Sequence, residues 1–217
     1  VKLPATRAGI AAMEEATYRG VSINATVSFS VAQALAAADA VECGLARRDA
    51  ENRDTTRMGP VITIMMGRLE DWLRERADAG NISVHPGAMP WSGVAVVKRA
   101  YGVWQERGFR ARLLAAAIRH HLHWSELIGG DLVLTLPPAW QRRFNASSVG
   151  VRSRIDDPVD EAHLGELRQL PDFVSAFEPD GLALDQIDAW GPTRKTLRTF
   201  IGSYHDLLHL VTEAQLG

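Results

Sequence analysis

An amine attacks a carbonyl only when it is uncharged, and this chain offers few amines to consider. Of its 24 basic residues 21 are arginines, and the lysines are Lys2, Lys98 and Lys195. Lys98 and Lys195 fall in stretches of helical periodicity, where an exposed ammonium is ordinary. Lys2 stands in the apolar, strand-like opening Val1-Lys2-Leu3-Pro4. A lysine held on a buried strand loses solvation, which disfavours its charge and yields a nucleophilic amine. Lys2 is therefore the nucleophile candidate, and its competing role is that of an edge-strand charge that discourages aggregation. The next polar strand-like positions are Asn24 and Thr26, for in Ser22 to Phe29 the apolar Ile23, Ala25, Val27 and Phe29 alternate with Ser22, Asn24, Thr26 and Ser28. In an open antiparallel sheet this alternation means one wet face. In a parallel barrel it means that apolar side chains pack outward on helices while Asn24 and Thr26 point inward, where catalytic groups gather towards the C-terminal ends of strands. Two histidine clusters, His120-His121-Leu122-His123 and His205 with His209, invite a metal reading. The second has helical i, i+4 spacing but lacks the glutamate of a zinc-protease helix and any evident third ligand, so no metal is expected. Gly129-Gly130 precedes a strand and is not a phosphate loop of the strand-glycine-helix kind.

The elements that would position these residues alternate between short β runs and helices, the order of an α/β fold with parallel strands. Strand 1–4 is followed by Thr6 as N-cap and a helix to about Arg19, with Ile10, Met13 and Ala16 or Thr17 on one face and Gly20 at its end. After strand 22–29, Ser30 and Gln33 form a capping-box signature for an alanine-rich helix to about Arg47. Residues 47–57 are charged and read as an exposed loop or helix end. Strand 61–66 places Thr63 and Met65 on one face and Ile62, Ile64 and Met66 on the other, and leads through Gly67 into helix 69–79. Residues 81–90 are broken by glycine and proline, a helix spans 92–107, and further strands are expected at 110–117 and 131–136. Beyond Pro137-Pro138 the chain reads as helical, ending in a long helix over 193–215.

With 46% hydrophobic residues, 217 residues suffice for a sizeable core, and one domain spanning 1–217 is expected. A net charge of -2 and a pI near 6.4 give no electrostatic case for nucleic acid or an anionic membrane. The arginine bias suits phosphate recognition, although high-GC coding produces it too. The single Cys43 excludes an internal disulfide and fits a reducing compartment, no apolar run approaches the roughly 18 residues of a spanning helix, and no signal peptide opens the chain. Cytoplasm is the expected location. Because the sequence opens at Val1 inside an element, further sequence is expected upstream.

Lys2-Leu3-Pro4-Ala5-Thr6 followed by a helix, Gly20, then Ser22-Ile23-Asn24-Ala25-Thr26-Val27 and Phe29-Ser30, resembles the fourth and fifth strands of the transaldolase family. Similar to the same family are Met66-Gly67-Arg68 with Asp71-Trp72, Ala116-Ala117-Ile118-Arg119, and Trp124 to Asp131. The resemblance covers nearly the whole chain, and the spacing of Lys2 to Asn24 and Thr26 is its most specific part. It implies a partial (β/α)8 TIM barrel, strands four to eight with flanking helices and a long C-terminal helix.

Residue by residue, the resemblance makes Lys2 the Schiff-base lysine, Thr26 the residue that holds the catalytic water, and Asn24 the one that hydrogen-bonds the bound ketose portion. Arg68 and Arg119 become the pair that grips the substrate phosphate, and Thr63 takes the place of a serine near the substrate. It implies cofactor-free transfer of a three-carbon dihydroxyacetone unit between sugar phosphates. The alternatives are a lyase of the fructose-6-phosphate aldolase type, and a non-catalytic sugar-phosphate binder or degenerate partner subunit. This sequence departs from the family pattern at Ala117, where a phosphate-binding serine is common, at Met65, where an aromatic is usual, and at His120, where asparagine is common. The family's proton-transfer aspartate and glutamate lie on its first and third strands, which are expected to be absent here. Five barrel strands leave two open edges, so the chain alone is expected to aggregate, oligomerise or lose activity, with a homodimer among the assemblies entertained.

Overall fold

The computed structural model describes residues 1–216. Five strands, β1 (Lys2–Pro4), β2 (Asn24–Thr26), β3 (Val61–Ile64), β4 (Arg112–Ala115) and β5 (Val133–Leu134), form one sheet in chain order, and every neighbouring pair is parallel. Parallel neighbours require a long return connection, and helices supply it. They are α1 (Arg7–Tyr18), α2 (Val31–Ala50), α3 (Met66–Gly80), α4 (Trp91–Arg107) and α5 (Leu122–Ser125), followed by α6 (Pro138–Asn145), α7 (Glu161–Leu167), α8 (Pro171–Phe177) and α9 (Gly191–Leu216). Sequential parallel strands joined by helices are consistent with part of a (β/α)8 barrel.

Local chemistry sets the helix starts. Thr6 accepts the Gly9 amide at 3.1 Å to cap α1, whose buried stripe is Ile10, Met13 and Thr17. Ser30 accepts the Gln33 amide at 3.0 Å to cap α2, which buries Ala34, Ala37, Ala38, Val41 and Gly44. That run of small residues lets α2 approach α1 closely, and a Cβ on Gly44 would come within 2.5 Å of the Glu14 carbonyl oxygen. The core lies between the helices and the sheet face carrying Ala25, Ile62, Ile64, Leu113 and Ala115, all buried.

The opposite sheet face is only partly covered. Register places Lys2 beside Asn24, Asn24 beside Val61, and Thr63 beside Leu114. Thr63 and Leu114 are buried, Asn24, Thr26 and Val61 are half-buried, and Lys2 and Arg112 are exposed. The expectation of a lysine desolvated on a buried strand is therefore corrected: β1 is an edge strand paired only with β2, and nothing covers Lys2. The strands are also shorter than alternation suggests. The ladder of 22–29 contracts to Asn24–Thr26 because Val27 turns left-handed at φ 52, which ends the extended run. Helix α9 begins on the core with Pro192, Thr193 and Thr196 buried, and then carries Phe200, Ile201, Leu207 and Leu208 exposed. Among the described residues no helix is long and apolar enough to cross a membrane.

The buried carboxamide of Gln33 ties these parts together. Its Oε1 accepts the Phe29 amide at 3.0 Å, and the two hydrogens of its Nε2 are shared among three acceptors, the carbonyls of Ala5 (3.1 Å) and Val27 (3.2 Å) and Thr193 Oγ1 (3.2 Å). Gln33→Leu keeps the volume and strands these buried groups, at a cost of 1–3 kcal/mol for a single orphan. The expected loss is about 3 kcal/mol, read as a lower urea midpoint at unchanged slope, and a midpoint equal to wild type would refute this role.

Candidate functional site

Two groups of predicted residues come together, one along the sheet face from the starts of β1 and β2, the other beyond the C-terminal ends of β3 and β4. The first lies on the half-open sheet face. Lys2 and Asn24 are register partners, as are Pro4 and Thr26. Thr63 donates its hydroxyl to Asn24 Oδ1 at 2.7 Å, and Thr26 Oγ1 lies 3.8 Å from Met65 Sδ. With Oδ1 engaged by Thr63, the Asn24 carboxamide has its NH2 free to donate to an oxygen beside Lys2. Lys2, Asn24, Thr26 and Thr63 thus form one polar strip across three strands. None of the strand residues on this face is an aspartate or glutamate.

The second group surrounds Asp71 on α3. Arg119, in the turn after β4, lays its guanidinium on the Asp71 carboxylate, with Nη2 to Oδ2 at 2.7 Å and Nε 3.2 Å from both oxygens. Arg68, half-buried in the first turn of α3, lies 5.2 Å from the Phe200 ring centroid. Arg68 and Asp71 share a cleft of about 370 Å³ with Trp72, Arg74, Glu75 and Lys195. That cleft includes none of Lys2, Asn24, Thr26 or Thr63 among its lining residues. Helix α3 starts directly after β3 without a side-chain cap.

Backbone strain marks both groups. Val27 (φ 52) directly follows Thr26, and Ala117 (φ 64) precedes Arg119 by two residues. Left-handed backbone at a residue with a Cβ costs of order 1–2 kcal/mol and persists only where its surroundings impose it. Gln33 imposes it at Val27 by taking its carbonyl. At Ala117 the carbonyl lies where a Cβ of Gly67 would be, so only glycine leaves that space.

Sequence reasoning missed Glu70, fifty residues from the histidine cluster it meets. Its carboxylate is buried, with Oε2 2.8 Å from His120 Nε2 and 3.1 Å from His123 Nε2, while Arg74 donates twice to Oε1 at 3.1 and 2.7 Å. Contact with His123 is off-line for a hydrogen bond. Burial pushes the Glu70 carboxyl up, but the hydrogen bonds with His120 and Arg74 and the close approach of the His123 ring outweigh it and hold the group well below the usual carboxylate range. Burial drives fully enclosed His123 below its ordinary 6.5, only partly opposed by Glu70. The three donor atoms lie within 4.8 Å of one another, a spacing a metal ion could use. However, the Arg119 amide donates to His123 Nδ1 at 3.1 Å, so the neutral ring carries its proton on Nε2, the atom facing Glu70. A metal-bound histidine presents the reverse, with the far nitrogen donating. These residues therefore read as a hydrogen-bonded network. His205 and His209 stay exposed on α9, with no third ligand among the described residues.

Both depressed groups make folding sensitive to acid. Unfolded His123 takes up a proton near 6.5 that the folded residue refuses, and unfolded Glu70 does the same near 4.5. Stability is expected to be full at neutral pH and to fall below 6.5 and again below 4.5, by up to about 1.4 kcal/mol per unit of depression. Urea midpoints of wild type and Glu70→Gln between pH 4 and 8 check this, since the variant must lose the lower step; identical pH profiles would contradict it.

The model of the transaldolase/fructose-6-phosphate aldolase family matches residues 1–210, a span that includes every strand, both polar groups and most of α9. Its members are enzymes of aldolase type. A match over nearly the full length places this chain in the transaldolase/fructose-6-phosphate aldolase family.

Proposed function

We propose that this chain is the portion of a transaldolase-like enzyme that carries its Schiff-base lysine and its phosphate grip, with β1 to β5 as strands four to eight of a (β/α)8 barrel and residues 1–217 belonging to one domain. The observation that carries this reading is the register of the polar strip, which sets Lys2 beside Asn24 and holds Asn24 through Thr63. Lys2 Nζ adds to the C2 carbonyl of a ketose phosphate, and loss of water leaves an iminium. The C3–C4 bond then breaks, its electrons flowing into the iminium, so that an aldose phosphate departs and a dihydroxyacetone enamine stays on Lys2. Attack of the enamine on an acceptor aldose phosphate, followed by hydrolysis, restores the amine.

In this scheme Thr26 holds the water that enters and leaves at C2, and Asn24 donates its NH2 to the bound three-carbon unit. The proton on the C4 hydroxyl needs a base, and the strand face of Lys2 supplies no carboxylate, so no residue of this chain is assigned that step. Arg68, Arg119 and the uncapped start of α3 bind the phosphate, combining permanently charged forks with backbone donors. Ala117, which has no hydroxyl, leaves that grip one donor short. No cofactor enters the scheme, and a cytoplasmic pool of sugar phosphates is its natural setting.

Borohydride reduction with fructose 6-phosphate, followed by peptide mapping, is expected to leave a three-carbon adduct on Lys2 that Lys2→Ala abolishes. Arg119→Ala should raise the sugar-phosphate concentration needed for half-maximal trapping by roughly tenfold to a hundredfold, the worth of one charged hydrogen-bonding group. Release of aldehyde without any acceptor would assign the lyase instead of the transferase. Sugar-phosphate binding with no adduct, in folded protein whose affinity is indifferent to Lys2→Ala, would leave only the non-catalytic binder.

A further inference from the structure

The turn from Ala116 to His121 is held harder than a connecting loop needs. Ala117 sits in left-handed backbone, its carbonyl packed into the space that Gly67 leaves. Two residues on, Arg119 is fixed twice. Its side chain lies on Asp71, and its amide donates to His123 Nδ1 at 3.1 Å. His123 is itself fully buried and faces the carboxylate of Glu70, which His120 and Arg74 hold from either side. Both lines of support end on adjacent residues of one helix, Glu70 and Asp71. The same helix carries Arg68 in its first turn. Backbone and guanidinium of Arg119 are thus referred to α3, and through α3 to Arg68.

We propose that His123, seated on Glu70, is a positioning residue that sets the separation of the Arg68 and Arg119 guanidinium groups and so determines the affinity of this end of the sheet for a phosphate group. The inference rests on the reading of Arg68 and Arg119 as phosphate ligands, and adds two residues that touch no substrate. What acts on the turn is the acceptor at Nδ1. Glu70 keeps the imidazole in the tautomer whose Nδ1 lone pair faces the Arg119 amide, since a proton on Nε2 is favoured by the carboxylate beside it.

Two substitutions separate this role from simple packing. Asparagine places an amide oxygen at the position of Nδ1, whereas glutamine carries its polar atoms one bond further, towards Glu70. Calorimetric titration of the chain with inorganic phosphate is expected to give near-wild-type affinity for His123→Asn and roughly tenfold weaker binding for His123→Gln, the scale of a misplaced binding group. Glu70→Gln should weaken phosphate binding in the same direction, while circular dichroism confirms that each variant is folded. Equal losses in the Asn and Gln variants, or no phosphate binding by the wild type, would overturn the proposal. So would stoichiometric zinc binding by the wild type that Glu70→Gln removes, because the three residues would then be ligands. Borohydride trapping on Lys2 reads separately: trapping that fails while the phosphate pattern holds refutes the aldolase chemistry and leaves the positioning role standing.

Discussion

The buried carboxamide of Gln33 is the interaction on which the placement of the strand ends depends. A primary amide has two donors and one acceptor oxygen, and here they reach the chain just after β1, the chain just after β2, the residue before the α2 cap and the start of α9. Hydrogen bonds of this kind are worth little in water, yet in a fully enclosed site each unmade one leaves a desolvated group behind. The two strand ends are therefore fixed relative to each other by one side chain. Lys2 lies three residues before the first of the bonded carbonyls and Thr26 one residue before the second. Their relative height on the sheet follows from that amide together with the β1–β2 register.

Holding strand ends in this way permits backbone that the local sequence would not choose. Val27 is β-branched and Ala117 has no polar side chain to favour the left-handed region, yet both occupy it. Each sits where a parallel strand stops and a candidate functional residue must be turned towards the open end of the sheet. Strain of this sort is tolerated where surrounding contacts over-determine the fold, and the contacts are identifiable: Gln33 at Val27, and the missing Cβ of Gly67 at Ala117.

Much of this was legible in the residues. Thr6 and Ser30 announced their helices through capping chemistry, the alternation around Asn24 set polar and apolar residues on opposite faces, and Ile62, Ile64 and Met66 were set on the face opposite Thr63 and Met65 and are found buried. Strand lengths were not legible, because alternation continues through Val27 and Phe29 after the ladder has ended, and only a tertiary contact turns the backbone there. The burial of Lys2 was misjudged for a related reason. Apolar neighbours Val1 and Leu3 say that a strand is β-like, but whether it lies at an edge is decided by its neighbours in space. Glu70 was invisible as a partner of His120 and His123 since nothing local links residues on α3 to a turn fifty positions later.

Adjacent carboxylates on α3 show how burial divides one chemistry into two roles. The Asp71 side chain is 46% exposed, and an ion pair in that setting contributes at most about 1 kcal/mol. It can orient the Arg119 guanidinium and still yield part of it to a stronger anion. The Glu70 side chain is 4% exposed, so removing any of its three cationic or hydrogen-bonding partners would leave an uncompensated charge in a dry environment. Glu70 therefore belongs to the frame and Asp71 to the part that exchanges partners. In the proposed phosphate grip, an anion at Arg119 would compete with the exposed carboxylate while the amide of the same residue stays fastened through His123, so the guanidinium could change partner without the turn that carries it letting go.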